Sequence, residues 1–340
     1  VVATDGTGVG HVQLKQGLRV VRRATDEVQI GTDPRWAVRV SGLTREQADH
    51  LARIGDRPLD AWLPAAVLAR LGQAGLLRAR RDRTVQVPAA LEPEARGYGL
   101  ACDDVDGRDG ADIVRRRARA TVAVGGLDRL GLTVVTTLAA AGVGGLLLDD
   151  ARLVRQGDVG GGYLTADVGR ARARVAADLV RAQSPDVRLR RPRHHAPDVT
   201  VTVTTDVTDP GTALGLLSGD AVHLPVVVRE ADALVGPFVD PAAMGEPCVR
   251  CLDLHRSDAD PAWPVVLAQL GTRDRRGEPG PPAALATVAA GIVAAEVLAH
   301  VDGRRPRTRG AQYEIPLPGL EPRMRRWAAH PSCGCAALAS

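Results

Sequence analysis

Two cysteine pairs and one glycine turn carry the chemistry that this sequence could perform. Cys248-x-x-Cys251 and Cys333-x-Cys335 place two thiols on each of two short knuckles, and Cys102 alone stands outside a pair. With no secretory leader expected, closely spaced thiols favour a structural zinc ion over disulfides. Four sulfurs would fill a tetrahedral shell, tie the C-terminal tail to an earlier loop and leave no position open for a substrate. Free buried thiols are the alternative. The second candidate is Gly126-x-x-x-x-Gly131, followed by Asp149 and Asp150 about twenty residues past the turn. A glycine turn that opens a helix gathers backbone amides for phosphate, and an acid at that separation reaches a ribose hydroxyl. Either Asp149 or Asp150 fits the acid. The middle glycine of the dinucleotide pattern is Asp128 here, which sets bulk and negative charge against a negative ligand.

These residues need a scaffold, and the pattern around them predicts one. Residues 121–125 form a short β-branched run suited to a buried parallel strand, and 130–141 read as a buried crossover helix. Gly142 and Gly144 fall where a helix stops with positive φ, and 145–148 resume a strand. That is a Rossmann-like βαβ unit. Asp167 and Gly169 precede a helix over 170–183, and further strands are expected over 200–205, 221–229 and 234–239. Upstream, strands over 18–22, 28–31 and 36–40 precede a helix starting at Thr44, with Gln47 completing a capping box. A second helix over 59–72 and a wing-like return through 73–80 and 84–87 complete a small winged-helix-like pattern. Residues 89–114, with Cys102, read as a linker, and the basic stretch 188–195 reads as a solvated turn.

Composition narrows the function classes. The 340 residues point to about two domains. Aromatics make up only 2%, so the core must be built from Ala, Val and Leu. A net charge of +4, spread along the chain, gives no basis for nucleic-acid binding. The longest apolar stretch, 283–299, is interrupted by Thr287, Gly291 and Glu296, short of the roughly eighteen-residue run that marks a membrane span. A core helix, no membrane partner and a cytoplasmic location are expected.

With these features in hand, residues 115–335 resemble the ThiF/MoeB family of ubiquitin-activating-type adenylyltransferases. The matching motifs keep their order: GGLDRLG from Gly125, LAAAGVGGLLLDD ending at Asp150, and Asp167-x-Gly169. TDVTDP from Thr205, PCVRC at 247–251, a late helix over 284–298 and WAAHPSCGC at 327–335 follow. The last of these and PCVRCLDLHR look most like actinobacterial members. The N-terminal pattern is similar to PqqD-like peptide-recognition domains. The resemblance implies an α/β Rossmann-like fold with a mixed sheet and a four-cysteine zinc site, preceded by the winged-helix-like α+β domain. The division is then 1–88 peptide-binding, 89–114 linker and 115–340 adenylyltransferase-type domain. A homodimer is expected.

Family chemistry uses ATP and Mg2+ to convert a C-terminal carboxylate into an acyl-adenylate. By resemblance, Gly126 and Gly131 shape the nucleotide loop and Asp149 or Asp150 holds ribose. Arg172 takes the place of the phosphate-facing lysine, and Asp209, after Asp206, takes that of the magnesium acid. The family's asparagine falls on Asp158 and its catalytic arginine on Gly161, so positive charge is lost where triphosphate would lie. No cysteine lies between Cys251 and Cys333 to form a thioester. Two expectations follow. In the first, the chain activates the C-terminus of a peptide or a ubiquitin-like or sulfur-carrier protein. In the second, it is a non-catalytic scaffold that binds a leader peptide and delivers it to a partner cyclodehydratase-type enzyme.

Overall fold

Short antiparallel strands open the chain. The computed structural model describes residues 12–55, 57, 59, 63–79, 86–101, 109–189, 196–243, 245–272 and 280–335. Cys102, Thr84 and the basic residues from Arg190 to His195 lie outside them. The chain divides into two compact units, residues 1–115 and 116–340.

In the first unit, β1 (Val12–Leu14) precedes β2 (Val20–Ala24), β3 (Glu27–Ile30) and β4 (Val38–Val40), which pair antiparallel in that order. Alternation buries Val28 and Ile30 of β3 and Val38 and Val40 of β4 against α1 (Arg45–Ala52), whose Leu51 is fully buried. The expected capping box is present: Thr44 Oγ1 accepts from the Gln47 amide at 3.2 Å, and the Thr44 amide donates to Gln47 Oε1 at 2.9 Å. After α2 (Ala65–Gln73), β5 (Leu77–Ala79), from the expected wing, pairs antiparallel with β1. Two helices follow, α3 (Glu92–Ala101) inside the expected linker and α4 (Gly110–Arg119).

The second unit is a seven-stranded mixed sheet. Its strands are β6 (Thr121–Gly125), β7 (Gly145–Asp149), β8 (Val199–Thr205), β9 (His223–Val228), β10 (Asp232–Val235), β11 (Ala311–Pro316) and β12 (Arg323–Arg326). The order is β12-β11-β10-β9-β8-β6-β7, parallel from β7 to β9 and antiparallel beyond. β9 is buried along its whole length, which accounts for its continuous apolar run. Between β6 and β7 runs α5 (Arg129–Ala140), with Leu130, Leu132, Val134, Val135 and Leu138 buried. Next come α6 (Arg172–Gln183), α7 (Pro210–Ser218), α8 (Val249–Ala259), α9 (Trp263–Thr272) and α10 (Ala283–Val301).

α10 is the expected core helix. By length and composition it could cross a membrane, at a mean hydropathy of 1.9, yet 61% of that window is buried in the fold. Its one acid, Glu296, is buried and accepts from the Thr308 amide at 2.7 Å and hydroxyl at 2.6 Å. One glycine reading is corrected. Gly142 has φ +90° and ends α5 as expected, whereas Gly144 is not left-handed. It is required because a Cβ there would stand 1.8 Å from the Ala118 carbonyl oxygen.

Candidate nucleotide and metal sites

Both turn glycines serve close packing. At Gly126, φ is +82° and a Cβ would lie 2.2 Å from the Val203 carbonyl oxygen of β8; at Gly131 it would lie 1.9 Å from that of Gly126. The chain therefore turns tightly over β8 and starts α5 directly against the turn. Asp128 is the N-cap: its Oδ1 accepts from the Leu130 amide at 2.9 Å and the Gly131 amide at 3.1 Å. Those amides are the ones that a helix N-terminus otherwise offers to an anion. Burial pushes the Asp128 carboxyl up, while these amides, Arg172 and Arg152 oppose that shift.

The two candidate ribose acids differ in their surroundings. Asp149 ends β7 exposed, whereas Asp150 is buried. Asp150 accepts from the Leu127 amide at 2.7 Å, from Arg152 Nε and Nη2 at 2.8 Å each, and from Arg172 Nη1 at 3.3 Å. Arg172, the first side chain of α6, is itself buried and grips both Asp158 oxygens, with Nη2 at 2.6 and 2.8 Å and Nε at 3.0 Å. The Asp158 carboxylate also accepts from the Arg155 amide at 2.8 Å. Tyr163 roofs this cluster, its hydroxyl donating to the Leu127 carbonyl at 2.6 Å.

Arg129 is a further residue of this region, which sequence reasoning left unplaced. Its Nη2 donates to the carbonyls of Gly157 at 3.1 Å and Val159 at 2.5 Å, and its Nη1 to that of Pro281 at 3.2 Å. The strut passes beside three consecutive left-handed glycines, Gly160, Gly161 and Gly162. At Gly161 a Cβ would meet Arg129 Cγ at 2.8 Å, so the position where the resemblance puts a catalytic arginine is filled by another arginine's stem. Arg152 and Arg172 thus pair with Asp150 and Asp158, while Arg129 is bonded to main-chain carbonyls and Asp128 to backbone amides.

Burial alone would raise the Asp150 carboxyl, but Arg152 and the Leu127 amide outweigh it and hold the group down at about 2. A depressed folded value stabilises the protein fully above the ordinary carboxylate range and loses that stabilisation as pH falls toward 2. About 2 kcal/mol of acid sensitivity is expected between pH 4 and pH 2. Urea midpoints of the wild type and Asp150→Asn across that range check it: the variant's curve should be flatter.

Asp209 stands apart from this network. It is the N-cap of α7, its Oδ2 accepting from the Thr212 hydroxyl and amide at 2.7 Å each, and these bonds lower its carboxyl. None of its contacts joins it to Asp150 or Arg172, although Asp206 turns the chain toward it with φ +67°.

The cysteine pairs do meet. Cys248 caps α8 and Cys251 lies in its first turn, both buried, and Cys333 and Cys335 approach from the tail. Sulfur separations are 3.9 Å for Cys248–Cys251, 3.7 Å for Cys248–Cys333 and 3.3 Å for Cys251–Cys335. Four sulfurs about 2.3 Å from a tetrahedral zinc stand roughly 3.8 Å apart, so the donor set fits zinc once Cys251 and Cys335 move apart by about half an ångström. The Cys248 thiol, the His330 amide and the Cys335 thiol all donate to the Cys251 sulfur, lowering that thiol and favouring the thiolate a metal needs. Beside the sulfurs, His255, Asp258 and His330 bring donor atoms within 4.8 Å of one another. The i, i+3 spacing of His255 and Asp258 was the available signal, and the partner from the tail was not.

No protein-family model matches the chain, and no curated protein sequence matches it. Solved structures do. The E. coli MccB structure aligns over 96% of both chains at a TM-score of 0.68 and 14% identity. MccB with AMPCPP and MccA aligns over 96% of this chain and 99% of that one, at 0.70 and 13%. PaaA aligns over 77% of this chain and 91% of its own, at 0.59 and 17%. At these identities the likeness speaks for architecture: nearly end to end, this chain has the fold of MccB.

Proposed function

We propose that the chain is a peptide-handling scaffold built on an adenylyltransferase-type fold, with its nucleotide pocket closed by its own ion pairs. The observation that carries this reading is the buried grip of Arg172 on Asp158 and Asp150. A triphosphate would need Arg172 free and the α5 amides open, and Asp128 takes those amides. In this reading the N-terminal unit, of PqqD-like type, receives a leader peptide in the cytoplasm. A zinc ion on Cys248, Cys251, Cys333 and Cys335 fixes the tail, and a partner enzyme performs the modification.

A second reading keeps ATP chemistry, and the MccB structures favour it, since MccB of this fold has been solved with ATP and with AMPCPP and MccA. There the chain would adenylate a peptide C-terminus, with Asp149 or Asp150 on ribose, Arg172 on phosphate and Asp209 on Mg2+. Arg172 would first have to leave Asp158. Titration calorimetry on zinc-replete protein separates the two. The scaffold reading expects no saturable heat at millimolar ATP with Mg2+. Saturable ATP binding abolished by Asp209→Ala would sink it.

A further inference from the structure

Among the described residues, His330 has an unusual concentration of partners for a side chain that no nucleotide or peptide reading uses. Its amide donates to the Cys251 sulfur, and its carbonyl accepts from the Cys333 amide at 2.9 Å. On the ring, Nδ1 accepts from the Ser332 amide at 3.0 Å, and Nε2 contacts Asp258 Oδ2 at 2.8 Å. An amide can only donate, so Nδ1 carries the lone pair and the ring proton sits on Nε2, where it donates to the carboxylate. The edge of the ring packs against His255, 4.8 Å between centroids at 71°, and His255 Nε2 donates to the Ala328 carbonyl at 3.0 Å.

This bonding excludes a second metal centre made of His255, Asp258 and His330, because neither His330 nitrogen has a lone pair to spare. It does something else. Cys251, His255 and Asp258 share one face of α8, at positions i, i+4 and i+7. His330 docks the tail on that face at both ends, through the sulfur of one knuckle and the acid two turns on, while the Ser332 bond shapes the turn that presents Cys333. We propose that His330 is the positioning residue of the four-cysteine site: clasped by Asp258, it brings Cys333 and Cys335 onto α8 before a metal arrives and slows their departure afterwards. The proposal rests on the four-cysteine metal reading.

Asp258 is the residue to change, because its side chain is 70% exposed while that of His330 is 6% exposed. Asp258→Ala removes the clasp without opening the core, and Asp258→Asn keeps an oxygen to accept the Nε2 proton. Three measurements on the full chain are needed: the thiolate-to-cobalt charge-transfer band after Co2+ loading, the rate of zinc release to a chelator, and mass-mapped thiol labelling of the metal-free protein. Removal of a partner that orients a ligand shell typically costs 10- to 100-fold in metal affinity. Asp258→Ala is therefore expected to release zinc roughly 10- to 100-fold faster with an unchanged tetrahedral band, and to label faster at Cys333 and Cys335. Asp258→Asn should stay within about threefold of wild type. Release and labelling unchanged in Asp258→Ala would overturn the clasp. So would Asn and Ala variants that behave alike, since charge rather than the hydrogen bond would then be acting. Absence of a thiolate–cobalt band in the wild type would overturn the metal reading and the clasp together.

Discussion

Replacing Arg172 with alanine is expected to destabilise the second unit by about 3–5 kcal/mol, the cost of leaving a buried carboxylate without its partner. Asp158 would lose all three of its guanidinium bonds, and Asp150 would lose one of its two arginines. In a unit of this size the melting temperature should fall by roughly 10 °C, read by calorimetry or circular dichroism. Arg172→Lys should lie between, because one ammonium cannot grip Asp158 through two nitrogens and reach Asp150 as well. The experiment separates structure from catalysis. An arginine kept free for phosphate would be exposed or weakly bonded, and its removal would change stability by only a few tenths of a kcal/mol. Asp158→Asn probes the same bond from the other side. It restores the residue type of the resembling family and weakens the grip on Arg172, so any ATP binding that this fold retains should appear first in that variant.

The second large effect concerns the four-cysteine site and the zinc ion proposed for it. Chelation, or Cys251→Ser, is expected to release the tail from residue 327 onward while the seven-stranded sheet stays folded. Binding free energies of structural zinc in small domains are on the order of 10–16 kcal/mol, so the docked tail should depend on the ion. Trypsin offers a direct readout, because Arg323, Arg325 and Arg326 are exposed on β12 immediately before the tail. Cleavage there should rise at least tenfold after chelation and return to its starting rate when zinc is restored. An unchanged digestion pattern would mean that the apolar packing of Cys248, Cys251, Leu252 and Cys333 holds the tail unaided.

Much of the second unit was legible because its signals are local. β6 and α5 appear within a residue of the β-branched run and apolar segment that announced them, since burial on both faces leaves no ambiguity of period. The cysteine pairs were equally plain. The pairing of β1 with β5 was not, because three-residue strands carry too little alternation to mark a partner so distant in the chain. β12, RMRR, has no apolar alternation at all and is recognised only by its ladder with β11. At the candidate nucleotide site, residue types were readable but side-chain destinations were not. Gly161 reads as an arginine lost, whereas in space its missing Cβ makes room for Arg129. Arg152 has no motif to mark its role, and it is spent on Asp150. Asp128 reads as damage to a phosphate loop, and folded it is a conventional helix cap.

The few aromatic residues give α8 an optical signature. Of the four tryptophans, only Trp263 and Trp327 belong to the second unit. Both rings lie near the Arg256 guanidinium of α8, at 5.2 and 5.9 Å, and Trp327 also has Arg325 over it at 4.4 Å. Nearly all intrinsic emission from this unit therefore originates beside the helix that carries Cys248 and Cys251. A change in its wavelength or intensity reports on α8 and the segments packed against it, while the rest of the Rossmann-like core stays dark.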